Sequence, residues 1–110
     1  MIYLDDSLVD PQEVKSLLHP GGKILINTRR PQSAFKALEP FTLGLVDART
    51  VSERQGLGRT INTAILGAYG RLSGKPALEI LLASIEEMVP ANKEANLEAA
   101  RQAFEQLETR

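Results

Sequence analysis

The sequence has no cysteine in its 110 residues and only one histidine, His19. Without a thiolate, the chain itself forms no disulfide, no cysteine-ligated zinc site and no cysteine-ligated iron–sulfur cluster. His19 precedes Pro20-Gly21-Gly22 at the expected end of a helix, where a histidine commonly interacts with the terminal carbonyl groups. A catalytic or metal-binding role is the alternative, although the neighbouring sequence offers no cluster of metal ligands and no nucleophile motif.

Strong charge and long apolar segments are also missing. The net charge is −1, which gives no electrostatic reason to expect binding to nucleic acid or to an anionic membrane. No apolar run approaches the roughly 20 residues that span a bilayer, and the N-terminus MIYLDDSLVD lacks the features of a signal peptide. We therefore expect one small domain over residues 1–110, located in the cytoplasm.

The first half of the sequence alternates apolar runs with helix signals. Asp10-Pro11-Gln12-Glu13 predicts a helix start, with Asp10 as the cap, Pro11 in the first turn and Glu13 completing a capping box. Strand, helix, strand, helix, strand at this spacing predicts parallel α/β packing. The predicted strands are 2–4, 23–28 and 41–47, and the predicted helices begin at Pro11 and at Ser33, the second ending at Leu38 before Pro40.

The second half predicts helices. We expect helices over 50–55, ended by Gly56, and from a cap at Thr60 or Asn62 to Ser73, ended by Gly74. A further helix is expected between Pro76 and Pro90, followed by a last helix. Their predicted core faces carry Leu78, Leu81, Leu82, Ile85 and Met88, and then Leu97, Ala100, Phe104 and Leu107. The predicted fold class is α/β: a three-layer α/β/α arrangement with a partial, mostly parallel sheet and a helical C-terminal half.

Polar residues follow all three predicted strands, at Asp5-Asp6-Ser7, 27–30 and 47–49. Ligands of open parallel sheets bind at the carboxyl ends of the strands, so this rim could meet an anionic ligand or another protein. Alternatively, the polar residues serve only as caps and turns. The adjacent acids Asp5 and Asp6 could bind a divalent cation, but two acids alone are a weak signal.

The stretch GLGRTINTAILGAYG, residues 56–70, combines a glycine-rich loop with a glycine-containing helix. Glycine inside a helix costs about 1 kcal/mol relative to alanine, which Gly67 and Gly70 would offset if they let the helix approach its neighbours closely. Gly56 and Gly58 are explained by a helix terminus and a tight turn, with phosphate binding as the alternative. Asn62 and Thr63 are expected to anchor the helix start to the preceding loop.

The same stretch, extended to GLGRTINTAILGAYGRLSG, closely resembles the Asn-Thr-x-x-Leu-Gly region of the gamma subunit of pyruvate:ferredoxin oxidoreductase and related 2-oxoacid:acceptor oxidoreductases. LHPGGKILINT, LVDARTVSERQGLGR and NLEAARQAFE resemble further segments of that family, in the family's order. Together they cover essentially the whole chain. The glycine-rich turn with which the family's domain opens is absent, so the resemblance is to the C-terminal half of a gamma subunit. Such a chain could be a fragment of a longer subunit, a split polypeptide or a shortened gene product.

This resemblance implies a structural component of an enzyme that converts a 2-oxoacid and coenzyme A into an acyl-CoA, carbon dioxide and reduced ferredoxin. Thiamine diphosphate, magnesium and iron–sulfur clusters would belong to the partner alpha, beta and delta subunits. This chain would carry no catalytic residue, no metal and no cofactor. Asn27, Thr28 and Arg29 would face coenzyme A or another subunit, while Gly56, Gly58, Asn62, Thr63 and Gly67 would form the family's structural motif.

A second hypothesis is a non-catalytic binding or assembly module. A half-domain with an incomplete parallel sheet would leave an apolar edge exposed, and it could then dock to a partner or pair with itself. Restored 2-oxoacid oxidation with added partner subunits would favour the first hypothesis, whereas a bare self-dimer would favour the second.

Overall fold

A computed structural model of the protein describes residues 1–58, 60–75, 77–89 and 91–109. Within these residues four strands form one sheet in the order β1-β2-β3-β4. The strands are β1 Ile2–Tyr3, β2 Lys23–Asn27, β3 Thr42–Val46 and β4 Glu108–Thr109. The helices are α1 Pro11–Leu17, α2 Ala48–Arg54, α3 Asn62–Ser73, α4 Leu78–Met88 and α5 Lys93–Gln106, with 3-10 helices at Asp6–Leu8 and Gln32–Leu38.

The first three strands are parallel, and their register places Leu25 opposite Ile2 on one side and opposite Gly44 on the other. The buried side chains at the centre of β2 are isoleucine and leucine, which suits a strand covered on both faces. Leu25 packs with α2, α3 and α5, whereas Ile24 and Ile26 pack with Val14 of α1 and the 32–38 segment. The result is the expected three-layer α/β/α arrangement with a mostly parallel sheet.

Several predicted boundaries are confirmed or only shifted. Asp10 caps α1 by accepting a hydrogen bond from the Gln12 backbone, with Pro11 in the first turn. The Glu13 carboxylate accepts the Tyr3 hydroxyl, which ties α1 to β1, instead of completing the predicted capping box. Gly74 ends α3 in the left-handed region, at φ 76°. The predicted 33–38 helix is present as a 3-10 helix, and α2 begins two residues earlier than expected because Asp47 caps it.

Other expectations are wrong. β1 ends at Tyr3, and Leu4 is exposed. Met88 lies outside the core face of α4, which buries Leu81 and Ile85. The expected openings and stops at Pro76 and Pro90 lie outside the described residues. The buried face of α5 carries Ala100, as predicted, and three further small side chains that the pattern of large apolar residues does not emphasise: Asn96, Ala99 and Ala103.

β4 is absent from the sequence prediction. It is a two-residue strand that pairs antiparallel with β3, with Glu108 opposite Leu45 and Thr109 opposite Gly44. Both of its residues are exposed, so it has no alternating apolar pattern to reveal it. Tertiary pairing alone makes this segment a strand.

Candidate functional site

A cleft of about 480 Å³ lies at the carboxyl ends of β1, β2 and β3. We call it the strand-end cleft. Because parallel strands end at the same edge of a sheet, three segments that are distant in sequence meet here. The cleft is lined by Leu4, Asp5, Asp6, Asn27, Thr28, Arg29, Asp47, Arg49 and Glu53.

Asn27, the last residue of β2, forms hydrogen bonds to the segment after β1 and to the start of α2. Its Nδ2 donates to the Leu4 carbonyl over 3.1 Å, and its Oδ1 accepts the Ala48 backbone N–H over 2.9 Å. One side chain therefore ties the end of β1 to the first turn of α2. Since the oxygen and one N–H of the amide are engaged within the chain, Asn27 holds the segments of the cleft together.

Thr28 and Asp6 form a second connection between β2 and the segment after β1. The Thr28 hydroxyl donates to Asp6 Oδ2 over 2.6 Å and accepts the Arg30 backbone N–H over 3.0 Å. The Arg30 guanidinium lies 3.8 Å from the same carboxylate oxygen. Thr28 is buried, so this bonded hydroxyl is structural in the free chain.

Arg29 projects from the rim while Asp47 holds it at one edge. Its Nε lies 3.3 Å from Asp47 Oδ2, and its Nη2 donates to the Thr50 hydroxyl over 3.1 Å. The side chain is nevertheless 72% exposed. A guanidinium has five N–H donors, so most of them remain available to a partner.

Asp47 lies between the end of β3 and the start of α2, and its carboxylate contacts both Arg29 and Thr50. Its carboxylate accepts the backbone N–H and the hydroxyl of Thr50, over 3.1 Å and 2.6 Å. Burial alone would raise the pKa of this carboxyl. The hydrogen bonds from Thr50 and the charge of Arg29 outweigh burial and lower the pKa below its ordinary value.

Asp5 repeats this arrangement at the end of β1. The backbone N–H and the hydroxyl of Ser7 donate to its carboxylate over 2.9 Å and 2.8 Å. These bonds, with the nearby charge of Arg49, lower the pKa of Asp5. Asp5 and Asp47 therefore act as helix caps. The part of the chain that the structure describes contains no group of three or more potential metal ligands.

The glycine-rich loop forms turns beside the start of α3. Gly56 and Gly58 both have positive φ, 73° and 61°, which agrees with a helix terminus and a tight turn. The expectation that Thr60 or Asn62 caps α3 is wrong, because the cap position is Ile61 and no side chain bonds there.

Thr63 bonds across to α5 rather than to the preceding loop. Its buried hydroxyl donates to Asn96 Oδ1 over 2.8 Å, and Asn96 Nδ2 donates to the Asn92 carbonyl over 2.9 Å. The two buried polar side chains thus satisfy each other at the α3–α5 contact. Asn62 is exposed at the loop side of the same turn.

Gly67 lies where α3 and α5 approach each other closely. A Cβ added there would lie 2.7 Å from the Ala100 carbonyl carbon and 2.8 Å from its Cα, and closer still to its carbonyl oxygen. These are backbone atoms, which cannot rotate away. Gly70 is also buried in α3. The structure thus gives a packing reason for glycine inside this helix.

Comparisons with known proteins show sequence and fold similarity along nearly the whole of this chain. The family model for pyruvate ferredoxin/flavodoxin oxidoreductase matches residues 1–106. The chain belongs to this family. It is 36% identical over 110 residues to the pyruvate/ketoisovalerate oxidoreductases common subunit gamma of Thermococcus litoralis, covering 96% of this chain and 59% of that protein. It is 33% identical over 109 residues to pyruvate synthase subunit PorC of Methanothermobacter marburgensis, covering 97% of this chain and 59% of that protein.

A solved structure of the pyruvate ferredoxin/flavodoxin oxidoreductase family shares the fold. The crystal structure of pyruvate oxidoreductase subunit PORC from Thermotoga maritima superposes with a TM-score of 0.84 at 27% identity. The match covers 98% of this chain and 62% of that chain. This chain therefore spans about three fifths of the length of these relatives, and its fold is a substantial part of theirs.

Most of the strand-end cleft of this family member follows from the sequence. Asn27, Thr28 and Arg29 lie in one cleft with Asp5, Asp6, Asp47 and Arg49, as a parallel order of the strands predicts. Glu53 is missing from that prediction, although its spacing of four residues from Arg49 places both on one face of α2.

His19 is exposed in the turn after α1, where its carbonyl accepts the Gly22 N–H. Along the described ranges no helix is long and apolar enough to cross a membrane.

Proposed function

We propose that this chain acts as a gamma-type structural component of a thiamine-diphosphate-dependent 2-oxoacid:ferredoxin oxidoreductase. Such a complex converts a 2-oxoacid, coenzyme A and oxidised ferredoxin into an acyl-CoA, carbon dioxide and reduced ferredoxin. The observation that carries the proposal is the similarity, along nearly the whole chain, to proteins named as gamma and PorC subunits. The complex would work in the cytoplasm.

The cofactors are proposed to belong to partner alpha, beta and delta subunits. The 110 residues include no cysteine, and hence no thiolate for an iron–sulfur cluster. Within the described residues, three of the four carboxylates of the strand-end cleft, those of Asp5, Asp6 and Asp47, already accept hydrogen bonds from Ser7, Thr28 and Thr50. The same residues contain no group of three or more potential metal ligands of the kind that would hold magnesium. Thiamine diphosphate would supply the chemistry, while this chain would supply shape and contacts.

The rim of the strand-end cleft is the proposed contact with a neighbouring subunit, beside the region that encloses coenzyme A. Arg29 and Arg49 are exposed on it, whereas Asn27 and Thr28 hold its segments together. Four carboxylates, those of Asp5, Asp6, Asp47 and Glu53, also line the cleft. Acidic residues therefore outnumber arginines, and this balance favours a protein contact at the rim over coenzyme A phosphates inside the cleft.

Reconstitution tests the proposal. This chain would be combined with the alpha, beta and delta subunits of its own complex, and 2-oxoacid-dependent reduction of ferredoxin would be measured with and without it. We expect activity to require the chain, with Arg29→Ala weakening subunit association about tenfold, since arginines are frequent hot spots of interfaces. Arg101→Ala is the matched control, because Arg101 is also an exposed arginine in an ion pair, with Glu98.

The outcomes separate the alternatives. If Arg29→Ala raises the KM for coenzyme A but leaves subunit association unchanged, Arg29 contacts coenzyme A directly and not a neighbouring subunit. Full activity without this chain would reject the enzyme-complex role and favour the binding or assembly module, including self-association.

A further inference from the structure

Two consecutive arginines, Arg29 and Arg30, follow β2 at the polar rim. Arg29 Nε lies 3.3 Å from Oδ2 of Asp47, which follows β3. Arg30 Nε lies 3.8 Å from Oδ2 of Asp6, in the segment after β1. Because β2 lies between β1 and β3 in the sheet, the two side chains contact the segments that follow both neighbouring strands. We call Arg29 and Arg30 the arginine pair.

Threonine hydroxyls fix the two aspartates behind the arginine pair. Thr50 donates to Asp47 Oδ2 over 2.6 Å, and Thr28 donates to Asp6 Oδ2 over 2.6 Å. In both cases the oxygen that accepts the hydroxyl is also the one nearest the arginine. A guanidinium held against a fixed carboxylate loses less conformational freedom when it binds a partner, so both arginines are preorganised for binding.

The positive groups lie outside the carboxylates at both positions. The side chains of Arg29 and Arg30 are 72% and 66% exposed, whereas those of Asp47 and Asp6 are 33% and 25% exposed. Exposed ion pairs contribute little to folding stability, so these contacts orient the arginines more than they stabilise the chain. The described residues accept two hydrogen bonds from the Arg29 side chain, and the 3.8 Å contact of Arg30 is longer than a hydrogen bond. Most of the five N–H donors of each guanidinium therefore point to a partner outside the chain.

The surroundings of the arginine pair favour carboxylates of another protein over a small phosphate ligand. Arg29 lies between the strand-end cleft and a neighbouring hollow of about 390 Å³, which Arg30 also lines. Leu4 is the one apolar residue among the described residues that line the cleft, whereas small-molecule sites are lined mostly by apolar groups. The carboxylates behind the arginines repel the double charge of a phosphate more strongly than the single charge of a carboxylate.

From this geometry we infer that the arginine pair binds two carboxylate side chains of a neighbouring subunit, one at each arginine, through the terminal N–H groups of the guanidiniums. Arginine is suited to this contact because its planar fork matches a carboxylate with parallel hydrogen bonds. The inference rests on the proposed function for the identity of the partner as a subunit of the complex. It adds Arg30 to the contact and specifies an acidic surface on the partner.

The first test measures association of the full chain with the alpha, beta and delta subunits by titration at low and high salt. Arg30→Ala should weaken association about tenfold at low salt and less at high salt, because salt screens exposed charges. Arg30→Lys should weaken it by a similar factor, because lysine keeps the charge but lacks the planar fork. Both variants should keep the urea midpoint of the original chain.

Arg101→Ala is the matched control, because Arg101 lies 3.3 Å from the Glu98 carboxylate and the two side chains are exposed to a similar degree, 48% and 39%. It should associate as the original chain does. Association of Arg30→Ala that equals that of the original chain would overturn the inference. Full association of Arg30→Lys would also overturn it, since charge alone would then be sufficient.

The second test identifies the ligand chemistry without any subunit. The arginine Nε–H signals of the full chain would be followed by NMR during titration with the blocked peptide Glu-Ser-Glu-Ser-Glu-Ser, its Gln-Ser counterpart and inorganic pyrophosphate. We expect the glutamate peptide alone to shift the signals of Arg29 and Arg30 while the Arg101 signal stays unchanged. Shifts with pyrophosphate and none with the glutamate peptide would overturn the inference in favour of a phosphate ligand.

The two tests separate the inference from the proposed function. A chain that binds the subunits equally well with and without Arg30→Ala would reject the inference and leave the proposed function standing. A chain that binds no subunit, but whose Arg29 and Arg30 signals respond to the glutamate peptide, would reject the proposed function and support recognition of carboxylates. Absence of both responses would reject both.

Discussion

Gly67→Ala tests whether close packing, rather than helix propensity, determines the residue at this position. Propensity alone predicts that alanine stabilises a helix by about 1 kcal/mol relative to glycine. The structure predicts the opposite sign, because the new Cβ would lie 2.8 Å from the Ala100 Cα and closer still to its carbonyl oxygen. Forcing extra volume into a packed core costs about 1–3 kcal/mol, and here rigid backbone must move.

We therefore expect Gly67→Ala to lower the free energy of unfolding by about 2 kcal/mol, with a fall in Tm of roughly 10 °C for a domain of this size. Gly67→Leu should lose more and should disrupt folding or assembly. Chemical unfolding followed by circular dichroism measures the free energy of unfolding of both variants, and thermal unfolding measures their Tm.

Gly44→Ala is the matched control for the same core. A Cβ at Gly44 would lie 3.0 Å from Leu72 Cδ2 and 3.3 Å from Leu107 Cδ1, which are the ends of flexible side chains. Its destabilisation should be smaller than that of Gly67→Ala. A Gly67→Ala chain as stable as the original, or more stable, would refute the packing explanation, as would a Gly67→Leu chain with unchanged melting and partner binding.

Substitutions at three further residues test the polar contacts. Asp47→Ala should destabilise the fold by about 0.5–2 kcal/mol through loss of a helix cap. The pKa of Asp47 is lowered in the folded state, so its contribution to stability is present above the unfolded pKa and is lost as pH falls through the folded pKa. Asp47→Asn should therefore flatten the acid limb of a stability–pH curve. Asn27→Ala should cost about 1–3 kcal/mol by orphaning the Ala48 N–H, and it should speed hydrogen exchange in β1; unchanged exchange would contradict the bridging role. Thr63→Val should cost about 1–3 kcal/mol because it leaves Asn96 Oδ1 buried without its donor, whereas Thr63→Ser should stay near the original in urea unfolding.

The sheet and its polar rim can be predicted from the sequence because they follow local rules. Apolar runs such as Lys23–Asn27, separated by helix signals, predict parallel strands, and parallel strands bring their polar ends together. Asp10 and Gly74 mark helix ends through capping chemistry that depends on a few adjacent residues. These features need no knowledge of distant contacts.

The parts that escape prediction depend on contacts between distant segments. β4 exists because Glu108 and Thr109 pair with β3, not because of an apolar alternation. On α5, close approach to α3 selects small residues such as Ala99 and Ala103, while a search for large apolar residues passes over them. The sequence around Thr63 favours a bond to the preceding loop, but its hydroxyl bonds Asn96 across 33 positions of sequence.

Reconstitution of 2-oxoacid-dependent ferredoxin reduction with alpha, beta and delta subunits decides whether this chain is a component of such a complex. We predict that activity appears only when this chain is present, that thiamine diphosphate and iron–sulfur clusters purify with the partner subunits, and that Arg29→Ala weakens association while Arg101→Ala does not. Activity that is complete without this chain, or a chain that binds none of these subunits, would contradict the claim.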